Sequence, residues 1–281
     1  MGAPLWLAHR PALARTAGSG RLGRSMNVPA HFVVIGAGGL GCPALLGLEA
    51  GGARAITIID DDRVDLSNLP RQVLYQTGDV GVAKVDGASW SLQGRRRPSA
   101  GELELRTLRR RLKPEELPTL LDELAAPLDE SNAGPALADP IVLECSDSPS
   151  LKFAVHDACL ARGLRVVVGG VVGWHGQAMA VDPRRAEAAC YRCLFEAPPP
   201  RELAPACATA GVAGPAAGTL GHAMALLALG LASSDTTNSP AGVCVHFDLL
   251  RGSVRRLAPK PRPDCPTCGP AHHRNFEPGP T

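Results

Sequence analysis

Four cysteines fall in two pairs, Cys190 and Cys193 in CYRC, and Cys265 and Cys268 in CPTC. Two C-x-x-C knuckles supply four thiolates, a closed donor set for tetrahedral Zn²⁺ with no open coordination position. A metal held this way is structural and would fasten the C-terminal part to the middle of the chain. The 71 residues between the knuckles exceed a usual zinc-ribbon loop. A redox C-x-x-C is the competing reading, but it does not account for two copies.

A second set of residues suits phosphate chemistry. Gly36, Gly38 and Gly41 form G-x-G-x-x-G after the apolar run HFVVI. Small residues there let backbone approach a phosphate, and the following helix offers N–H groups and the positive end of its dipole. Asp60 stands 19 residues beyond Gly41, placed to accept hydrogen bonds from a ribose, and Asp61 and Asp62 follow it. Glycines and one acid would also serve a nicotinamide or flavin enzyme. Three further residues tip the balance: Arg71 in DLSNLPRQ, Lys84 in GVAKV and Asp147 in LECSDS. A triphosphate reacting at its α-phosphorus needs such cations and a metal-binding carboxylate. Taken singly, each is an ordinary surface charge. An NAD(P)-dependent oxidoreductase would leave Arg71, Lys84 and DLSNLPRQ without a task.

Cys207 stands apart in the small-residue stretch PACATAGVAGPAAG. A lone cysteine is most often an inert buried residue, and no neighbouring base is visible to activate this one. Cys42, Cys145, Cys159 and Cys244 fall in apolar elements and read as core.

These residues need a scaffold. His31–Ile35, a helical stretch from Cys42 to Ala50, and the apolar run Ala55–Ile59 make a strand–turn–helix–strand unit, the building block of a parallel sheet. Ile141–Cys145 and Val166–Val168 read as further central strands joined by a helix over Lys152–Arg162. Ser148 suits its cap, and Pro149 its first position. Glu102–Leu108 alternates like an edge strand, and Glu115–Ala125 has helical spacing. Arg109, Arg110 and Arg111 read as a solvated face rather than a phosphate site. Gly176–Val181 and Val243–Leu249 read as strands, possible antiparallel partners. The segment from Leu203 to Ser234 has no charged residue, which would allow a membrane span. Its prolines, glycines and His222 argue instead for a small-residue loop followed by a buried helix from Ala223 to Ala232.

Composition agrees with an ordinary globular chain. Of 281 residues, 45% are hydrophobic and 20% charged, which excludes wholesale disorder and coiled coil. Net charge is +2, so nothing argues for a nucleic-acid binder. Aromatics are only 4%, so the core is built from Val, Leu, Ile and Ala. Nine cysteines with two metal-type pairs point to a reducing compartment, the cytoplasm, rather than to disulfides. Residues 1–30 carry Arg10, Arg15, Arg21 and Arg24, and no acid precedes Glu49. They read as a basic extension ahead of one domain over 31–270, with a tail over 271–281. A mitochondrial presequence has the same composition.

Taken in order, VVIGAGGLG, TIIDDDRVDLSNLPRQ, GVAKV and LECSDS resemble the MoeB/ThiF/HesA family, relatives of the ubiquitin-activating enzymes. The resemblance runs from about Val33 to Cys268, interrupted near 94–138. It implies an α/β, Rossmann-like nucleotide-binding fold with a mostly parallel sheet and a zinc-clipped C-terminal part. It implies adenylation of the C-terminal glycine of a small ubiquitin-fold sulfur-carrier protein, of molybdopterin- or thiamine-synthase type, in a homodimer. By resemblance, Gly39, Asp60, Asp62 and Ser148 belong to the nucleotide site, Ser67, Asn68 and Arg71 line its phosphate and ribose side, Lys84 contacts phosphate, and Asp147 holds Mg²⁺. The same long separation of knuckles occurs in the family, and a cysteine in the segment matching Cys207 is its active-site thiol.

The chain departs from the family at its start. LWLAHRPALART replaces the usual arginine-rich helix, leaving Arg10 and Arg15 as candidates for the arginine that reaches a neighbouring ATP. Ser148 stands where Asn is usual and Lys152 where Arg is usual. No rhodanese-like extension follows Cys268, so the expected sulfur source is a separate donor protein. A relative that binds nucleotide or carrier without turnover is the non-enzymatic alternative.

Overall fold

The computed structural model describes residues 28–96, 101–125, 139–200, 211–235 and 237–269. Strand β1 (Val28–Ile35) starts three residues before His31 and leads through the glycine turn into helix α1 (Gly41–Ala50) and strand β2 (Ala53–Ile59). Helix α2 (Lys84–Arg95), strand β3 (Glu104–Leu108) and helix α3 (Leu117–Ala125) follow. Next come β4 (Ile141–Glu144), α4 (Pro149–Leu160), β5 (Arg165–Val172) and β6 (His175–Val181). The short α5 (Tyr191–Leu194), the long α6 (Gly214–Ala232), β7 (Cys244–Asp248) and β8 (Ser253–Leu257) complete the order.

All eight strands form one sheet in the order β3-β2-β1-β4-β5-β6-β7-β8. Strands β3 to β5 of that order pair in parallel, and β6, β7 and β8 add on antiparallel. The edge position of β3 and the antiparallel β6 and β7 match the sequence expectation. Strand β8 escaped it, because SVRRL has an exposed, polar edge pattern and carries little periodicity.

Strict alternation feeds two cores from the parallel strands. Phe32, Val34, Ile56, Ile58 and Leu143 face α1, α2 and α6. Val33, Ile35, Ile59, Val142 and Val166 face α3, α4 and the cysteine knuckles. Burial on both faces explains why these strands read as continuous apolar runs.

Helix α6 corrects one expectation. It begins at Gly214, nine residues before the expected Ala223, so part of the small-residue stretch is helical. Small residues serve packing here. A Cβ on Gly47 of α1 would stand 2.7 Å from Ala225 Cβ, and one on Gly221 would stand 2.5 Å from the Leu40 carbonyl oxygen. The two helices approach through glycine faces. By length and composition α6 is apolar enough to cross a membrane, but its buried residues, Leu220, Met224 and Ala228 among them, belong to the core beside the sheet.

Candidate functional site

The chain crosses from one half of the sheet to the other between β1 and β4, and ligands in open α/β sheets bind beyond the C-terminal ends of such strands. A cavity of about 1060 Å³ opens there.

At one end lies the glycine turn. Gly36 has φ of +92°, a left-handed conformation that glycine adopts without strain. A Cβ on Gly41 would sit 1.9 Å from the Gly36 carbonyl oxygen. The turn is therefore tight enough to require glycine at both positions. Asp60 braces it, accepting from Ala37 N–H at 2.7 Å and from Asp62 N–H at 2.8 Å. Burial pushes the Asp60 carboxyl up, while the Lys84 ammonium pulls it down. No side chain caps α1, so its N-terminal dipole end faces the cavity unneutralised.

Cations close over this end. Arg71 donates to Asn68 Oδ1 at 2.9 Å and to the Ser67 carbonyl at 3.1 Å. Its aliphatic stem lies 3.7 Å from where a Gly39 Cβ would be. Lys84, buried, pairs with Asp62 at 2.7 Å. Tyr75 Oη lies 2.8 Å from the Ala37 carbonyl and 3.2 Å from that of Lys84, tying the turn to α2.

On the β4 side, Asp147 is exposed and lines the cavity. Ser148 lines it too, and its Oγ caps α4 by accepting from Leu151 N–H at 3.3 Å. Beneath them Glu144, fully buried, pairs with Lys152 at 2.6 Å. Glu144 also accepts from the backbone N–H of Ser146 at 3.1 Å and from its hydroxyl. Burial pushes the Glu144 carboxyl up, and Lys152 pulls it back.

Most expected residues thus meet in one place: Gly36, Gly38, Gly39, Asp60, Asp62, Asn68, Arg71, Lys84, Asp147 and Ser148 all line the cavity. Two do not. Gly41 shapes the turn from behind, and Ser67 gives its hydroxyl to Asp65 at 2.5 Å rather than to the cavity. Cys207, Arg10, Arg15, residues 1–27 and the tail from 270 lie outside the described residues.

Three features escaped the sequence reading. Arg110 and Arg111 are exposed, as expected of a solvated face, and in addition rim the cavity while pairing with Glu116 and Asp61. Gln72 sits inside DLSNLPRQ with Oε1 buried and unpartnered, an acceptor awaiting a donor in the cavity. The Glu144–Lys152 pair gives no signal in sequence, because an acid ending a strand and a lysine eight residues later are commonplace.

The second site is the cysteine cluster. All four sulfurs lie within 4.8 Å of one another, with separations of 3.9 Å for Cys190–Cys193, 3.6 Å for Cys190–Cys265 and 3.3 Å for Cys193–Cys268. A tetrahedron with metal–sulfur legs of about 2.3 Å has edges of about 3.8 Å. The donor set fits zinc. Cys193 Sγ accepts from Arg262 N–H at 3.3 Å, and the Cys268 thiol is drawn down to about 5, chiefly by its hydrogen bond with Cys190. Behind the first knuckle, buried His156 lies 2.8 Å from Asp157 through Nδ1 and accepts from Tyr191 N–H at 3.2 Å through Nε2. Asp157 also anchors Arg192 at 2.6 Å. The cluster therefore has a shell that holds its backbone in place.

Comparison with known proteins gives a consistent result. The model of the ThiF family matches residues 17–267. The chain is 35% identical over 247 residues to the sulfur carrier protein ThiS adenylyltransferase of Escherichia coli, covering 88% of this chain and 89% of that protein. It is 32% identical over 253 residues to the SAMP-activating enzyme E1 of Haloferax volcanii, covering 90% and 83%. Against the adenylyltransferase and sulfurtransferase uba4 of Aspergillus niger, identity is 31% and the chain spans about half of the relative's length, 52%. Among solved structures, Escherichia coli MccB with ATP superposes with a TM-score of 0.65 at 19% identity, over 86% of this chain and 68% of that one. That likeness supports the α/β fold.

Proposed function

The chain belongs to the ThiF family, and from that premise we propose that it is an adenylyltransferase that activates the C-terminal carboxylate of a small ubiquitin-fold sulfur carrier, of thiamine- or molybdopterin-synthase type, with ATP. One observation carries the reading: the glycine turn, Arg71, Lys84 and Asp147 share a single cavity beyond the strand ends. A dinucleotide oxidoreductase has use for the turn and Asp60 but not for cations and a carboxylate gathered there.

The chemistry explains the need. A carboxylate resists attack because its leaving group would be oxide, whereas AMP leaves readily. A carboxylate oxygen bonds to the α-phosphorus while the bond from that phosphorus to the bridging oxygen breaks, and pyrophosphate departs with the electron pair. The chain must hold the two reactants in line and take up the departing charge. Arg71 and Lys84 receive the phosphates, the Gly36–Gly41 turn lets them approach, and Asp60 accepts from the ribose. Asp147 would hold Mg²⁺, which when bound neutralises phosphate charge. The cysteine cluster holds zinc as a clip between the residues around 190 and those around 265, away from the reaction.

A homodimer is supported by the exposed apolar side chains Leu66, Val73, Val80 and Trp90, and a reducing compartment by eight unbridged cysteines among the described residues. Cys207 has no part in adenylation itself, so Cys207→Ala retains exchange. The deciding experiment is ATP–pyrophosphate exchange with a panel of thiamine- and molybdopterin-synthase-type carriers. Carrier-dependent exchange is expected. Thermal stabilisation by NAD and not by ATP would overturn the reading, and ATP binding with no exchange for any carrier would make the chain a relative without turnover.

A further inference from the structure

Lys152 lines the cavity without a part in the phosphate chemistry, and unlike Arg110, Arg111 and Lys113, the exposed cations of the same rim, it is buried. Arg71 and Lys84 stand over β1 and β2, beside Gly39 and Asp62. Lys152 stands on the other side of the crossover, its Cε 3.8 Å from where a Gly170 Cβ would be on β5. Its ammonium has three N–H groups. Among the described residues, one goes to Glu144 Oε2 at 2.6 Å and one to the Ser146 carbonyl at 2.5 Å. The third is left for the cavity that Lys152 lines.

Glu144 makes this arrangement costly. A fully buried carboxylate and a buried ammonium lose their hydration, a cost that their attraction alone often fails to repay. An apolar pair of similar volume would fill the same space. The pair instead fixes one donor direction at the cavity wall, beside a glycine that leaves room in front of it.

Resting on the adenylation reading, we propose that Lys152 receives the carboxylate of the incoming carrier, with Glu144 as the positioning residue that aims it. The nucleotide occupies the β1–β2 side and the carboxylate arrives over β5, so Lys152 holds one carboxylate oxygen while the other faces the α-phosphorus. No proton moves and no bond to Lys152 forms. Glu144 already balances the lysine's charge, so the gain is a directed, charge-assisted hydrogen bond, on the order of 10–100-fold in affinity.

The test uses the full chain loaded with a non-hydrolysable α,β-methylene ATP. Calorimetry measures binding of ThiS and of a molybdopterin-synthase-type carrier, each as the free C-terminal acid and as its C-terminal amide. Wild type is expected to prefer the acid by at least about tenfold. Lys152→Met should bind acid and amide alike with nucleotide affinity unchanged, Lys152→Arg should keep the preference, and Glu144→Gln should weaken it. A purely structural role would leave the acid–amide preference intact. Should Lys152→Met not fold, the double variant Glu144→Gln/Lys152→Met, which strands no buried charge, gives the same readout. An acid preference that survives removal of Lys152, or wild type with none, overturns the assignment. Wild type that binds neither carrier overturns the adenylation reading itself.

Discussion

Lys84 is tied to Asp62 twice: its backbone N–H donates to the Asp62 carbonyl at 3.0 Å, and Nζ lies 2.7 Å from Oδ2. The first residue of α2 is a poor place for a lysine, because the helix dipole puts positive potential there. Val64 N–H bonds the Val82 carbonyl at 2.8 Å and Gly81 N–H the Val64 carbonyl at 2.8 Å, so the strand end and the helix start are stitched together. The ammonium is held at the cavity against local electrostatics by a partner that is itself half exposed.

From this it follows that the two residues separate on mutation. Lys84→Met should lower ATP–pyrophosphate exchange by on the order of 10²–10³, the usual cost of a lost preorganised charge. Asp62→Asn keeps the cation but frees its direction, so a loss of about tenfold or less is expected. Steady-state exchange with both variants checks it. Equal losses would mean that Asp62 itself touches the reactants, and wild-type rates in Lys84→Met would return that lysine to the role of a surface charge.

Zinc should be present at one atom per chain, measured by elemental analysis. Structural zinc sites contribute on the order of 10 kcal/mol of apparent binding free energy. Cys265→Ser, or a strong chelator, should therefore lower the melting temperature while ATP still binds at low temperature. A fully stable, zinc-free preparation would show that the four thiols pack without metal.

Much of this was legible in the sequence where one residue type has one use. Gly41 marks the turn because no side chain fits 1.9 Å from a carbonyl oxygen, and Gly36 because its φ is +92°. The paired C-x-x-C motifs carry the cluster because four thiols in that spacing have few other purposes. Charges were less legible. Arg110 and Arg111 look like any basic surface run until β3 brings them to the cavity rim. Glu144 and Lys152 read as a strand end and a helix surface, and only the turn at Ser146 makes them a buried pair. The start of α6 differs from the sequence expectation because Gly214, Pro215 and Gly218 weaken the local helix signal, while the packing of its glycine face on α1 is non-local.

His31 sets a pH dependence. Its Nε2 meets Thr57 Oγ1 at 2.8 Å, Nδ1 is buried without a partner, and Arg106 and Glu104 lie around the same small cavity. Burial, then the Arg106 charge, lower its pKa from 6.5 to about 4. The unfolded chain thus takes up a proton between these values and the native one does not, so stability falls as pH drops from about 6.5 toward 4. The loss from His31 amounts to at most about 3 kcal/mol. His156, also buried and lowered, acts in the same direction. Asp157, held at about 2, loses its contribution only at lower pH. Urea unfolding at pH 7 and pH 4.5 should show a smaller drop for His31→Gln than for wild type. Identical drops would mean that His31 is protonated in the native state.

Gly39 and Gly41 distinguish a turn that folds from a turn that binds. At Gly41 a Cβ would strike the Gly36 carbonyl oxygen, a backbone atom that cannot move without opening the turn. Gly41→Ala should therefore destabilise the whole unit, with reduced melting temperature and poor recovery of folded protein. At Gly39 the nearest atoms to a new Cβ are Ala217 Cβ at 3.6 Å and the Arg71 stem at 3.7 Å, ordinary contacts, and its φ is not positive. Gly39→Ala should keep stability within about 0.5 kcal/mol of wild type. The added methyl would nevertheless stand on the cavity wall between the turn and Arg71, where a phosphate must come close to backbone. ATP affinity measured by calorimetry should fall by about tenfold or more, the equivalent of one charge-assisted hydrogen bond. Unchanged affinity in a well-folded Gly39→Ala protein would show that the phosphates do not pass over this glycine, and would move the nucleotide away from the turn.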